Sequence, residues 1–413
     1  MPDDGAPVKE ARRTVYDAQQ AAHQLERRLA EADEGEDIIA LTQQLSAAQA
    51  QVVAAEDQLA AAKKQADGGD QIVVRGSEVT RTRSLETTGL QVTVQLQMAN
   101  VPTSIYHLLN ADEYPLVKCT VTTSLRGGKR VRITSYIEGY SSKAVDTLEV
   151  KPNQNPPAVV CQQPTLFPDK VRSITEITRA SLNVLAEDLD TGKIEVHKTM
   201  PVWLLARTSV PFATYNPSDG TWKDTSRYFG AFVTPNHPEI MRFLRKVAAR
   251  HPDMRLVGYQ GDVDVDAQAQ AVFDALKSDA EIVYINSVKD FNPDAGVKSQ
   301  RLRLPAESLS GQQANCVDGA VLFASLLEAL SLNPAIVVLP SHVIVGWETA
   351  PQNGKWRYLD TTKLNKSFDF ALKFGMALVN AAEQQSAATG REDLLYRWPL
   401  RELRSAFGIY PTE

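Results

Sequence analysis

Residues 315–330 read Asn315-Cys316-Val317-Asp318-Gly319-Ala320-Val321-Leu322-Phe323-Ala324-Ser325-Leu326-Leu327-Glu328-Ala329-Leu330. Apolar residues at 317, 320, 321, 323, 324, 327 and 330 trace one broad helical face, and Asn315 is a good N-cap. The spacing therefore predicts a buried helix that begins at Cys316. The first turn of a helix presents unpaired N–H groups and the positive end of the helix dipole. Both favour a thiolate, the nucleophilic form of cysteine. The backbone N–H of Cys316 is placed to donate to an oxyanion, and Gln312, Gln313 and Asn315 are candidate side-chain donors for the same task.

Working outward, His342 opens the apolar run Val343–Trp347, which reads as a strand after Pro340. Asp360 closes another strand-like run, Lys355–Leu359. Antiparallel neighbours joined by 349–354 set those two side chains side by side. Asp360 can then hold the imidazole in one tautomer and stabilise its charged form. Each of the three residues alone is more often a packed core residue. Together they carry the parts of a thiol acyl-transfer site in chain order: a helix-start cysteine, a strand-borne histidine and a strand-end aspartate.

Composition narrows the classes. The chain has 413 residues, 43% hydrophobic and 23% charged, with a net charge of -6. That length implies about two to four domains. Without an excess of basic residues, nucleic-acid binding is not the expected task. The acidic start Met1-Pro2-Asp3-Asp4-Gly5 lacks an apolar core, so no secretory signal is expected. The longest apolar region, Val317–Trp347, is broken by Glu328, Asn333, Pro334 and His342. It reads as buried helix and strands, and no membrane span is expected. Cys119, Cys161 and Cys316 are too few and too scattered for a disulfide framework or a zinc site. A cytoplasmic location, where a reactive thiol stays reduced, is the expectation.

The front of the chain is of a different texture. Residues 8–66 are rich in Ala, Gln, Glu, Lys and Arg and lack proline. Val15, Ala18, Ala22, Leu25 and Leu29 form one heptad seam, and Leu41, Leu45, Ala48, Val52, Ala55, Leu59 and Ala62 form another. The two registers do not join across Glu34-Gly35-Glu36-Asp37, where Gly35 can end a helix and Asp37 can cap the next. A helical hairpin, or coiled coil, over 1–68 is expected. Its Ala-rich seam suits self-association or partner docking, or else a solvated spacer. After the linker Asp67-Gly68-Gly69-Asp70, period-two alternation from Leu90 to Met98 announces strands. Val117–Ser124 and Arg130–Tyr136 read as a hairpin around Arg126-Gly127-Gly128-Lys129. That Gly-Gly-Lys lacks the frame of a phosphate loop. Prolines from Pro152 to Pro168 mark a transition, and Asp190-Thr191-Gly192 a turn. The rhythm predicts two β-sandwich-like modules, 69–155 and 156–225, and then a mixed α+β domain over 226–413 with C-terminal helices. His23, His107 and His197 read as exposed or structural. Asn236 is the expected cap of a helix with Pro238 in its first turn. Asp262-Val263-Asp264-Val265-Asp266 opens like a calcium loop, but Ala267 and Phe273 stand where glycine and glutamate belong, so an acidic helix N-terminus is the better reading. Phe368–Gln384 reads as an amphipathic helix that Gly375 can bend.

Asn315-Cys316-x-Asp318, Pro340-x-His342 and Trp356-x-x-Leu359-Asp360-x-Thr362 resemble the three signature blocks of the bacterial transglutaminase-like superfamily. The resemblance extends upstream through Val233-Thr234-Pro235-Asn236 and Leu304-Pro305 and covers roughly residues 226–365. It implies a papain-type α+β fold, with Cys316 as nucleophile, His342 as general base and Asp360 as its orienter. Ser341 departs from the small glycine expected before the histidine. The calcium sites of animal transglutaminases have no counterpart, so no metal or cofactor is implied. The expected activity is thiol-dependent acyl transfer on a protein or peptide substrate, as a cysteine peptidase or amidase. A protein-glutamine transglutaminase or deamidase shares the same residues. An inert scaffold that uses the coiled coil and β modules is the non-enzymatic alternative.

Overall fold

Every residue from Cys316 to Leu327 is buried in one α-helix, Cys316–Ala329, because its apolar face spans nearly the whole circumference. In the computed structural model, which describes residues 6–33, 35–66, 81–83, 89–124, 126–261, 264–286, 298–340 and 342–411, this helix packs on a four-stranded sheet. The sheet order is Trp356–Leu359, His342–Glu348, Pro334–Leu339, Tyr396–Pro399. Each neighbouring pair is antiparallel, with Leu339 opposite His342 and Val345 opposite Leu359. Residues Pro334–Leu339 are all buried, as a strand covered on both faces must be. On one side Phe323 of the Cys316 helix stacks on Trp347, centroids 6.1 Å apart. On the other, Val379 and Ala382 of the Phe368–Thr389 helix pack against Ala335, Val337, Leu339, Ile344 and Tyr358.

Gly375 does not bend that second helix, which runs unbroken from Phe368 to Thr389. A Cβ at Gly375 would meet the Tyr358 carbonyl oxygen at 2.5 Å. The missing side chain serves a close approach of helix to strand instead.

Two helices, Ala6–Glu31 and Ile38–Ala66, pack side by side at the front of the chain. Asp37 Oδ1 accepts the Ala40 N–H at 3.1 Å, as a cap should; the expected linker residues 67–70 lie outside the described residues. Ala22, Leu29 and Ala32 meet Ile38, Leu41, Leu45 and Ala48, and Phe370, Phe374 and Ala377 of the Phe368–Thr389 helix complete the same cluster. Lys366 pairs with Asp33 and Ser46 hydrogen-bonds Gln385. The Ala22–Leu29 and Leu41–Ala48 parts of the two seams are thus covered by the chain's own helix. The reason is areal: an Ala-rich seam buries little surface by itself, and two phenylalanines from elsewhere in the chain supply the rest.

The chain, of mixed α+β character, divides into two compact units: one of Met1–Ile72, Phe229–Asn286 and Arg303–Glu413, and a second, built mainly of strands among its described residues, of Val73–Tyr228 and Ser287–Leu302. In the second unit the expected boundary at 155/156 is crossed by strand pairing. Lys129–Ile137 pairs with Thr178–Asp188, and Val117–Thr123 with Ala158–Gln162. The expected hairpin around Arg126–Lys129 also fails to form: its two strands belong to different sheets, of four and five strands, and Gly128, at φ +70°, turns the chain between them. Alternation reports which face of a strand is buried, not which strand it pairs with. The turn at Asp190–Gly192 joins paired antiparallel strands, as expected.

In the first unit, the helix Pro238–Arg250 is capped by His237 instead of Asn236, the ring Nδ1 accepting the Glu239 N–H. Asp264 caps the helix Val265–Ser278 through the N–H groups of Asp266 and Ala267; Asp262 and Val263 lie outside the described residues. Asp266 in turn accepts from Trp347 Nε1 and Arg357 Nε, each at 3.0 Å. Among the described residues, no helix is long and apolar enough to cross a membrane.

Candidate active site

The Cys316 helix is fastened at its first turn. Asn315 Oδ1 accepts the Asp318 N–H at 2.8 Å, and Asp318 Oδ2 accepts the Asn315 N–H at 3.0 Å, a reciprocal capping box. Asp318, fully buried, also accepts from the Arg303 N–H at 2.7 Å and from Arg303 Nη1 at 2.8 Å. Burial pushes the Asp318 carboxyl up, and these donors pull the other way without cancelling it. Cys316 is thereby held as the first residue of the helix, its side chain largely covered.

His342 is the first residue of its strand, opposite Leu339. Its Nε2 lies 2.9 Å from Asp360 Oδ2, and the ring shares a hydrogen bond with the Cys316 side chain. Asp360 is 1% exposed, and its second oxygen accepts the Thr362 N–H at 2.9 Å. Burial disfavours charge on both groups. For His342 the adjacent Asp360 carboxylate, its hydrogen bond and Cys316 outweigh that cost, and the imidazole pKa is raised well above its ordinary value. For Asp360 the imidazole and the Thr362 contacts outweigh burial and hold the carboxyl below the usual range. The structure therefore brings Cys316, His342 and Asp360 into one connected chain of side chains.

The three oxyanion candidates have separate fates. Gln312, a left-handed residue at φ 53°, donates its side-chain amide to the Ala280 carbonyl at 3.2 Å. The amide oxygen of Asn315 is committed to the capping box. Gln313 sits in a two-residue strand, paired with Val283, and its side chain makes no hydrogen bond to another described residue. Ser341 lies outside the described residues. Cys119 and Cys161 belong to the other unit, as does His197, whose ring meets Asn183.

Four residues of the site carry no local sequence signal. Arg303 orders the capping box. Gly319, one turn after Cys316, lets the helix press on the turn that carries Asp360: a Cβ there would meet Thr361 Oγ1 at 2.4 Å. Tyr284 lies on a strand parallel to Gln313–Ala314, and its neighbour Ile285 donates its N–H to the Ala314 carbonyl at 3.0 Å. Tyr284 is half-exposed; partial burial pushes its phenol up to about 12, with the charges of Cys316 and Asp360 adding to the effect. Lys363, in the turn after Asp360, is buried. Exposure, pairing and close approach are tertiary properties, and no spacing rule announces them. Among the described residues no cluster of three or more His, Cys, Asp or Glu could hold a metal ion.

No known family model matches this sequence, and no curated protein matches it. Among solved structures, the crystal structure of a FixG-related protein from Vibrio parahaemolyticus aligns at 13% identity, over 29% of this chain and 97% of that one, with a TM-score of 0.18. A likeness at that level carries no argument about fold or function.

Proposed function

We propose that this protein is a thiol-dependent acyl-transfer enzyme, a cysteine peptidase or amidase that acts on protein or peptide substrates through a Cys316 acyl-enzyme. One observation carries the reading: His342 is shared between the Cys316 side chain and a buried Asp360, whose carboxylate stands 2.9 Å from the ring. The helix on an antiparallel sheet, with cysteine on the helix and histidine and aspartate at adjoining strand ends, fits the papain-type domain that the transglutaminase-like resemblance implies.

In this reading His342 takes the Cys316 proton, and the thiolate Sγ attacks the substrate carbonyl carbon. The carbonyl π electrons move onto oxygen, where the Cys316 N–H at the helix start can donate. The imidazolium, stabilised by Asp360, gives its proton to the departing amine as the C–N bond breaks, leaving a thioester on Cys316. His342 then deprotonates the acceptor, which attacks the thioester and regenerates the thiol. If the acceptor is water the outcome is hydrolysis or deamidation; if it is an amine, transamidation. All use the same residues.

The test is incubation of the protein with a glutamine-containing peptide mixture and a labelled primary amine. A hydrolase releases free acid or new amine termini without taking up label, whereas uptake of label assigns aminolysis. Turnover undiminished in Cys316→Ala removes the proposal in all its forms.

A further inference from the structure

We infer that the N-terminal helical hairpin is part of the catalytic apparatus, and that Lys363 is the positioning residue through which it fixes Asp360. The inference rests on the catalytic reading above. Lys363 lies in the single 3-10 turn that follows Asp360, and its N–H donates to the Asp360 carbonyl oxygen at 3.2 Å. Its side chain is 3% exposed. The ammonium donates to the carbonyl of Leu29 at 2.7 Å and sits 4.4 Å from the centroid of the Phe374 ring.

Leu29 is in the last turn of the Ala6–Glu31 helix. The Leu29 carbonyl accepts the Ala32 N–H at 3.3 Å, leaving its second lone pair for the ammonium, and the last turn carries the negative end of the helix dipole, which favours a cation. The Phe374 ring face favours one too. Lys363 is thus gripped at its tip by the hairpin and by the helix that the hairpin covers, while its backbone closes the turn under Asp360. Burial draws the Lys363 pKa down, and the nearby Asp360 charge supports its charged form. Lys366 and Asp33 are the other charged groups close to it. A hairpin that merely spaced domains would have no reason to take a buried cation three residues from the orienting carboxylate.

The test uses the full chain and iodoacetate. That reagent is an anion, so its rate with a thiolate–imidazolium pair falls as the imidazolium loses its proton. The alkaline limb of the rate–pH profile therefore reports the His342 pKa. Lys363→Met keeps a long apolar stem and removes the grip. If Lys363 positions Asp360, loosening it weakens the hold on His342. Alkylation then slows by roughly tenfold to a hundredfold, and the alkaline limb moves to lower pH by about half a unit or more. Loss of the lysine's charge alone acts the opposite way, because removing a nearby cation raises the pKa of an imidazole. A limb that stays in place or moves to higher pH overturns the inference.

Phe374→Leu retains the apolar contacts but removes the ring face, and should shift the limb in the same direction by less. If Lys363→Met does not fold, the Phe374→Leu profile decides by the same criterion. A wild-type profile without an alkaline limb, unchanged in His342→Ala, removes the catalytic reading and this inference together. A normal wild-type profile with unmoved variants removes this inference alone.

Discussion

Replacing Asp360 with asparagine changes one charge at the centre of the site and little else in shape. The carboxylate lies 2.9 Å from His342 Nε2 and is almost wholly shielded from water. An opposite charge at that range raises the pKa of a cationic acid by roughly 1–3 units, equivalent to about 1.4–4 kcal/mol favouring the imidazolium. The raised pKa of His342 depends on it, since burial alone would push the ring the other way. In Asp360→Asn the alkaline limb of iodoacetate labelling should therefore fall by about 1–3 units. The stability profile should change as well. His342 has a raised folded pKa, so its contribution is complete below the unfolded histidine value and fades as pH rises through the folded one. Asp360 has a lowered folded pKa, so its contribution is complete above the unfolded aspartate value and fades as pH falls through the folded one. Urea denaturation of the wild type should show both losses, and Asp360→Asn should flatten both. A variant whose alkaline limb stays where the wild type's is would refute the electrostatic account.

Three further substitutions test the supports of the site. Gly319→Ala gains helix propensity of about 1 kcal/mol, yet its Cβ would collide with Thr361 Oγ1. Overpacking of ~1–3 kcal/mol should win, lowering the melting temperature and slowing Cys316 alkylation together. Asp318→Ala leaves the Asn315 and Arg303 N–H groups without their acceptor; a loss of roughly 3 kcal/mol should appear in chemical denaturation, and a stability within experimental error of wild type would count against the capping-box account. Leu45→Asp puts a carboxylate into the cluster shared by the hairpin, Phe370 and Phe374. It should cost at least ~3 kcal/mol, and hydrogen exchange should quicken in the Phe368–Thr389 helix as well as in the hairpin. Exchange confined to residues 6–66 would show the two to be independent.

How much of this was legible beforehand depended on the range of the interaction. The Cys316 helix, its Asn315 cap and the strands of His342 and Asp360 are set by neighbours within a few positions, and their signals stand in the sequence. The hairpin's two seams were equally visible, but what covers them was not. Phe370, Phe374 and Ala377 reach that seam from more than 300 residues away and read locally as one face of a separate amphipathic helix. The β region failed for a related reason. Alternation from Leu90 to Leu96 fixes inward and outward faces, while the pairing of Lys129–Ile137 with Thr178–Asp188 crosses a proline-rich stretch that looks like a boundary. Asp318, Arg303 and Lys363 are ordinary charged residues in a sequence. Only burial turns the first into a hub of four hydrogen bonds and the last into an anchor. Gly375 illustrates the ambiguity of glycine, whose missing side chain can serve flexibility or close approach.

The central claim is that Cys316 forms a covalent acyl intermediate with the help of His342. Intact-mass spectrometry of the full chain mixed with an N-acyl peptide thioester measures this directly, with the adduct mapped by peptide fragmentation. The account predicts a single acyl group on Cys316, absent in Cys316→Ala and formed far more slowly in His342→Ala. An adduct on Cys119 or Cys161, or one that forms on Cys316 at the same rate without His342, would contradict it.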